Sequence, residues 1–129
     1  MSDRRSPSKF RIGQVVPSSN TTMELEIPAM LRVREQHFPE RFSFHSARAR
    51  MHRVTPEELA AMNREGLRCV AELADARVDL LSTACLVAIM AQGFGYHRQV
   101  EEDFRRVLAD NGASAKVMTS AGALVHGLK

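Results

Sequence analysis

The chain has 129 residues, the size of one ordinary domain, so a buried core is possible without disulfides or metals. Apolar residues make up 44% and charged residues 26%, a balance typical of globular chains and too apolar for intrinsic disorder. The net charge of +3 is small and spread along the chain, which disfavours a nucleic-acid-binding protein and is compatible with a small anionic ligand.

The first nine residues, MSDRRSPSK, are polar and basic, and we expect residues 1–9 to form a mobile leader. They lack the apolar segment of a secretory signal peptide, and no apolar run in the chain reaches the ~20 residues of a membrane span. The sequence therefore predicts a cytoplasmic protein without membrane contact, in which Cys69 and Cys85 stay reduced. Neither cysteine belongs to a Cys/His cluster, so we expect no metal site.

Two predicted strands flank a predicted helix in the first third of the chain. Residues 10–17, FRIGQVVP, are rich in β-branched side chains and end at the turn-forming segment PSSNTT, which predicts a strand. Residues 23–36 carry apolar side chains at helical spacing, and Pro28 is expected to shift the start of the regular helix. Residues 41–48 alternate two phenylalanines on one face, which predicts the second strand.

The strongest helix signal begins at Thr55. This residue is followed by Pro56 and then by Glu58, a combination of N-cap, first-turn proline and capping-box acid. The predicted helix runs to Ala74, and we expect Cys69 to pack within it as a core residue. Its apolar stripe comprises Leu59, Met62, Gly66, Leu67, Val70 and Leu73.

The second half of the chain continues the alternation of strands and helices. Residues 78–84 predict a strand, residues 97–110 a charged helix and residues 116–121 a fourth strand. Asn111 and Gly112 should end the charged helix, with Gly112 in the left-handed conformation. The last segment, GALVHGLK, has the pattern of the opening of another helix.

This alternation predicts an α/β domain over residues 10–129, with an open, parallel, four-stranded sheet and helices on both faces. We expect the flavodoxin-like strand order 2-1-3-4. In such sheets, ligands bind beyond the carboxyl ends of the strands, where the strand order reverses. That point lies between strands 1 and 3, so PSSNTT should lie beside TACLVA, residues 83–88.

These two segments carry residue types suited to a small dicarboxylate. PSSNTT offers hydroxyls, the Asn20 carboxamide and N–H groups at a helix start. Cys85 stands where the third crossover begins, and N–H groups there and at Leu86 and Val87 would favour a thiolate and hold a second carboxylate. The residues alone leave two structural alternatives open: Cys85 as a small buried core thiol and Asn20 as a turn or cap residue.

Other polar residues near this edge have structural explanations that we prefer to functional ones. The sequence places His45 at the end of strand 2, where a lone histidine is more often structural. The segment GFG lacks the glycine spacing of a nucleotide-binding loop. Helix capping accounts for Tyr96 and His97, which follow this segment. A solvated loop accounts for the basic run of Arg48, Arg50 and Arg53.

Four segments of the chain carry a specific resemblance: RIGQVVPSSNTTMELEIPAML, FSFHSARARMHRVTPEEL, ACLVAIMAQGFGYH and TSAGALVHGL. From about residue 10 to the end, they resemble the maleate cis–trans isomerases of the aspartate/glutamate racemase superfamily. The resemblance implies a cofactor-independent enzyme with two pseudo-symmetric α/β domains around one active site. Members are roughly twice as long, so we expect this chain to correspond to the N-terminal half, without the second domain and its cysteine.

The resemblance also implies roles for individual residues. Cys85 matches the nucleophile that adds to the double bond of maleate, and the succinyl-cysteine intermediate rotates about a single bond before fumarate is released. Asn20 matches a substrate-binding asparagine, and the backbone of Cys85, Leu86 and Val87 matches a carboxylate-binding turn. The family suggests a place in nicotinate degradation. Two copies of the chain would supply one cysteine each, so a homodimer is a second interpretation of its length.

Two alternatives to an isomerase stay open. An arylmalonate decarboxylase or an amino-acid racemase would use the same scaffold, although VPSSNTTME and ACLVAIM match the isomerases more closely. A non-catalytic dicarboxylate-binding or interaction module would keep the fold and expose an unusually apolar face where the second domain normally docks.

Overall fold

The computed structural model describes residues 8–129, and its order of strands and helices confirms the predicted alternation. The strands are β1 (Lys9–Pro17), β2 (Arg41–Ala49), β3 (Leu80–Thr83) and β4 (Lys116–Thr119). The helices are α1 (Thr22–Glu35), α2 (Pro56–Asp75), α3 (Leu86–Met90), α4 (Tyr96–Asp110) and α5 (Ser120–Gly127). Of the predicted leader, residues 1–7 lie outside the described residues, and Lys9 already belongs to β1.

The four strands are all parallel and follow the order β2-β1-β3-β4, as predicted. Because the strands share one direction, their carboxyl ends lie at the same edge of the sheet. Right-handed crossovers in this order place α1 on one face and α2, α3 and α4 on the other. The packing agrees, since α2 contacts both α3 and α4. Within the described residues, no helix is long and apolar enough to cross a membrane.

The core lies between the sheet and the pair α2 and α4. Along α4, Val100, Phe104 and Leu108 recur every four residues and are buried, which is the pattern of an amphipathic helix. The buried residues of α2 are Leu59, Met62, Gly66, Cys69, Val70, Leu73 and Ala74. Leu67, which we predicted in this stripe, is 38% exposed, because the residue after Gly66 points about 100° away from the buried side.

The start of α2 keeps the predicted cap but not the predicted capping box. The Thr55 hydroxyl accepts the N–H of Glu58 at 3.2 Å. The Glu58 carboxylate, however, accepts the N–H groups of His52 and Arg53, at 3.2 and 2.7 Å, rather than returning to Thr55. Glu58 therefore ties the loop after β2 to the first turn of α2.

Pro28 lies in the interior of α1, and the helix starts six residues before it, so our expectation that the proline delays the regular helix is wrong. The side chain of the N-cap residue Thr21 makes no capping bond, and Asn20, one residue earlier, supplies one, since its Oδ1 accepts the N–H of Met23 at 3.1 Å. Pro28 leaves the carbonyl of Glu24 without its helical donor. Water can replace that donor because Met23 is the only buried residue of this surface helix.

Two glycines with positive φ bound α4. Gly112 has φ 69° and ends the helix, as predicted, while Gly95 has φ 78° and precedes its first residue. No side chain makes a capping hydrogen bond at this start, so the capping roles expected of Tyr96 and His97 are wrong. The five-residue helix α3 was not predicted, since it is too short to show a helical period.

Gly13 lies in the central strand β1, where an added Cβ would approach both methyl carbons of Val78 to 3.0 Å. We expect Gly13→Ala to lower the free energy of unfolding by ~1–3 kcal/mol, the usual cost of overpacking a core. Denaturant unfolding measures the difference. The matched control is Gly127→Ala in α5, where an added Cβ meets open space, and a Gly13→Ala chain as stable as this control would contradict the packing.

Cys69 is 0% exposed in α2, and burial raises the pKa of its thiol above the ordinary value of 9.0. The unfolded chain therefore ionises this thiol at a lower pH than the folded chain does. Folding stability from this group is complete below pH ~9 and is lost as the pH rises through the folded pKa. We expect the free energy of unfolding to fall above pH ~9, and to fall less steeply in Cys69→Ala. Parallel slopes for the two chains would show that Cys69 does not control this loss.

Candidate active site

The loops after β1 and β3 meet at the carboxyl edge of the sheet and border an open depression. Asn20 lines it from the first loop, and Cys85, Leu86 and Val87 line it from the second. Met51 adds a buried apolar side chain from the loop after β2, a contribution that the sequence did not indicate. The positions predicted to form a site are thus brought to one place.

The position of Cys85 follows from the pairing of β1 with β3. Val15 pairs with Thr83, and the N–H of Ala84 donates to the carbonyl of Val15 at 3.4 Å, which extends the pairing by one residue. The chain then leaves the sheet, and Cys85 becomes the N-cap residue of α3 with φ −89° and ψ 91°. Its thiol is therefore held where a central strand ends and a helix begins.

The turn at Cys85 presents two uncommitted backbone donors. The N–H of Leu86 donates to the carbonyl of Ala84 at 3.2 Å. Among the described residues, no carbonyl accepts the N–H of Cys85 or that of Val87. Of the three N–H groups expected to bind a carboxylate, two are therefore available and one is engaged.

The helix that carries this turn is held from behind by α2. The Asn63 amide nitrogen donates to the carbonyl of Ala88 at 2.9 Å. Ala88 and Ile89 are buried in the core, so α3 is fixed both by this bond and by apolar packing. The polar turn at Cys85 thus rests on a rigid support, although nothing in the sequence marked Asn63.

Asn20 is both a cap residue and an available donor, because its two amide atoms have different tasks. Its Oδ1 accepts the N–H of Met23, and only the oxygen can do so. This bond fixes the orientation of the amide and leaves the Nδ2 hydrogens free to donate to a ligand. The two interpretations of Asn20 that the sequence left open are therefore compatible.

Ser18 joins the loop after β1 to the loop after β2. Its N–H donates to the carbonyl of Ala49 at 2.8 Å, and its hydroxyl accepts the N–H of Met51 at 2.9 Å. The same hydroxyl donates to the carbonyl of Met51 at 3.3 Å. Since Met51 is buried, these bonds anchor the Asn20 loop to the core.

Arg48 differs from the other members of the basic run. Its guanidinium donates to the carbonyl of Asn20 at 2.9 Å and pairs with Glu24, so the solvated-loop interpretation is wrong for this residue. Arg50 and Arg53 are exposed, as expected. His45 lies inside β2 rather than at its end, and its Nε2 is 2.9 Å from the Ser43 hydroxyl, away from the depression.

The two thiols of the chain lie in opposite surroundings. Cys69 is fully buried and its pKa is raised, so it stays protonated and shielded, whereas Cys85 is only half-buried at the depression. Both cysteines are free. In the described part of the chain, no three His, Cys, Asp or Glu side chains come together as metal ligands. Cys85 is therefore the thiol that can meet a small molecule.

Comparison with known proteins identifies relatives of this chain. No family model matches the chain. The maleate isomerase of Pseudomonas putida is 64% identical over 119 residues, which cover 92% of this chain and 48% of that protein. The maleate isomerase of Geobacillus stearothermophilus is 57% identical over 121 residues, which cover 93% of this chain and 48% of that protein. The chain thus spans about half the length of the curated relatives it matches.

Solved structures give the same result. The crystal structure of the maleate isomerase Iso from a second strain, Pseudomonas putida S16, matches with a TM-score of 0.92 and 56% identity. The match covers 94% of this chain and 49% of that one. A Nocardia farcinica maleate cis-trans isomerase mutant with a covalently bound succinylcysteine intermediate matches with a TM-score of 0.87 and 53% identity. The match covers 94% of this chain and 48% of that one. An arylmalonate decarboxylase mutant matches with a TM-score of 0.64 and only 16% identity, so it shares the fold alone. In sequence and in fold, the chain is similar to the N-terminal half of the maleate isomerases that it matches.

Proposed function

We propose that this chain supplies the N-terminal half of a maleate cis–trans isomerase site, with Cys85 as its nucleophile. The observation that carries the proposal is the meeting of the accessible Cys85 thiol, the Asn20 amide and two free backbone N–H groups at one depression. Maleate has a carboxylate on each side of an alkene. It therefore requires anion-binding donors around a nucleophile, which is what the two loops offer.

In the proposed reaction, the Cys85 thiolate forms a bond to one alkene carbon. The π electron pair moves to the neighbouring carbon and its carboxylate, where N–H donors stabilise the added charge. The bond between the two carbons is now single and rotates. A proton taken up at the succinyl-cysteine stage is returned when the π bond re-forms and the thiolate leaves, so maleate becomes fumarate with no net gain or loss of atoms.

The donors divide between the two loops. The N–H groups of Cys85 and Val87 bind the carboxylate whose carbon takes up the electron pair, and the Asn20 amide, on the opposite loop, binds the other carboxylate. Residues 10–129 act as one α/β domain that holds these groups. The opposite wall of the site comes from the second half of the isomerases, which this chain does not cover, or from a second copy in a homodimer.

The proposal includes a cytoplasmic location and a role in the breakdown of nicotinate-type compounds. Two free cysteines suit a reducing compartment, and the pathway is carried over from the family. A decarboxylase or racemase is less well supported, because the arylmalonate decarboxylase match is limited to the fold at 16% identity, whereas the isomerase matches exceed 50%.

Incubation of the purified chain with maleate should add the mass of one maleic acid to Cys85 and none to Cys69. Intact mass with peptide mapping measures the adduct, and Cys85→Ser should abolish it. Iodoacetamide provides the control for accessibility, since it should alkylate Cys85 in the same folded sample. A Cys85 that reacts with iodoacetamide but not with maleate would contradict the proposal that these loops bind the substrate and activate the thiol.

Asn20→Asp separates the two tasks of Asn20. The carboxylate still accepts the N–H of Met23, and Asp is a good N-cap, so the thermal midpoint should stay near that of the parent chain. The variant lacks an N–H donor and repels a dianion, so adduct formation on Cys85 should slow by roughly 10- to 100-fold. Asn20→Ser keeps a capping oxygen without the charge and should show a smaller loss. An unchanged adduct rate in both variants would exclude Asn20 from substrate binding.

A further inference from the structure

We infer that Arg48 is a positioning residue that orients Asn20 for the substrate, an inference that rests on the proposed function of Asn20. Arg48 is the penultimate residue of β2, where it pairs with Val16 of the central strand. Its side chain reaches past the end of β1 to the loop that carries Asn20. Arg48 does not line the depression at Cys85, so it acts through another residue.

The guanidinium holds both ends of the turn between Pro17 and Asn20. Its Nη1 donates to the carbonyl of Asn20 at 2.9 Å and to that of Pro17 at 3.4 Å. The N–H of Asn20 donates to the same Pro17 carbonyl at 2.9 Å. The backbone of Asn20 is thus fixed on both its N–H and its C=O side, and the contact on the C=O side is made by Arg48.

The other end of the guanidinium holds the helix that Asn20 caps. Its Nη2 pairs with Glu24 at 2.5 Å, in the first turn of α1. Glu24 follows Met23, whose N–H donates to the Asn20 Oδ1. One planar group therefore sets the turn before Asn20 and the helix after it, which together determine where the Nδ2 donor lies.

Arg48 is itself held in place by α2. Arg68 donates from its Nη2 to the carbonyl of Arg48 at 2.9 Å. Arg68 is in turn bound by Glu65 at 3.0 Å and Glu72 at 2.8 Å, and these carboxylates raise the pKa of its guanidinium. The support for Asn20 thus runs from the surface of α2 through β2 to the loop after β1.

Lysine cannot replace arginine in this role. The contacts of Arg48 use two nitrogens of a rigid fork, directed at two carbonyls on one side and a carboxylate on the other. An ammonium group is a compact point charge without this fixed geometry. Arg48→Lys therefore keeps the positive charge near the site but loses the simultaneous hold on the turn and on α1, which makes it the informative substitution.

The experiment measures the rate of Cys85 adduct formation against maleate concentration for the parent chain, Arg48→Lys and the control Arg50→Lys. Arg50 is in the same basic run, and its Nε contacts His52 rather than the Asn20 loop. In Arg48→Lys, the half-saturating maleate concentration should rise about tenfold, as expected for a misplaced binding group, while the limiting rate stays within about twofold. Arg50→Lys should change neither quantity, and iodoacetamide should alkylate Cys85 equally fast in all three chains.

Two outcomes would overturn the inference. A lower limiting rate with an unchanged half-saturating concentration would mean that Arg48 acts on the chemical step, and equal effects of both lysine variants would mean a general role of the basic run. If Arg48→Lys fails to fold, Glu24→Gln provides a second test, because it weakens the anchor of Arg48 and should raise the half-saturating concentration in the same direction. An unchanged value in folded Glu24→Gln would then overturn the inference.

A measurement without maleate separates this inference from the proposed function. The side-chain amide of Asn20 gives its own NMR signals, which the loss of a signal pair in Asn20→Asp assigns. These signals should shift in Arg48→Lys and stay in place in Arg50→Lys. If the parent chain takes up no maleate, the proposed function fails while the amide signals still report on Arg48. If the chemical shifts of the Asn20 side-chain amide are unchanged in Arg48→Lys, the positioning role itself is wrong.

Discussion

The arrangement of the site depends on the parallel register between the central strand β1 and β3. Val15 lies opposite Thr83, so β1 and β3 end at nearly the same level of the sheet. The loops that follow Pro17 and that contain Cys85 are therefore adjacent. Gln14, Val15 and Val16 are all buried, so β1 is covered on both faces, and a slip of one residue would exchange the side chains packed on one face with those packed on the other. The burial of Val15 and Leu81 therefore fixes the relative positions of the two loops as well as the stability of the sheet.

Loops at the edge of a sheet must satisfy their backbone polar groups without the regular hydrogen bonds that join neighbouring strands. Here side chains from neighbouring elements do much of this work, with Ser18 bonding the backbone of Met51 and Asn63 bonding that of Ala88. The N–H groups of Cys85 and Val87, like those of Ser19, Thr21 and Thr22 in the other site loop, have no acceptor among the described residues. Their availability next to an accessible thiol is the chemical distinction of this edge.

The sequence predicts features that depend on local patterns, and it misses those that depend on contacts between distant segments. The cap at Thr55, the stop at Gly112 and the strand order follow from turn chemistry and from the alternation of strands with helices. The true partners of Glu58 and the contacts of Arg48 were missed, because each involves residues brought together only by the fold. The candidate site was placed by the rule for parallel sheets, whereas the roles proposed for its residues came from a resemblance.

The division of tasks within the Asn20 side chain has a consequence for how this scaffold evolves. In the site proposed above, the oxygen serves folding, because it accepts the N–H of Met23 in the first turn of α1, and the nitrogen serves ligand recognition. Aspartate and serine satisfy the first demand and not the second, and a single nucleotide change converts an asparagine codon to either. In the proposed site, a single step of this kind would therefore remove a ligand contact while the start of α1 keeps its hydrogen bond.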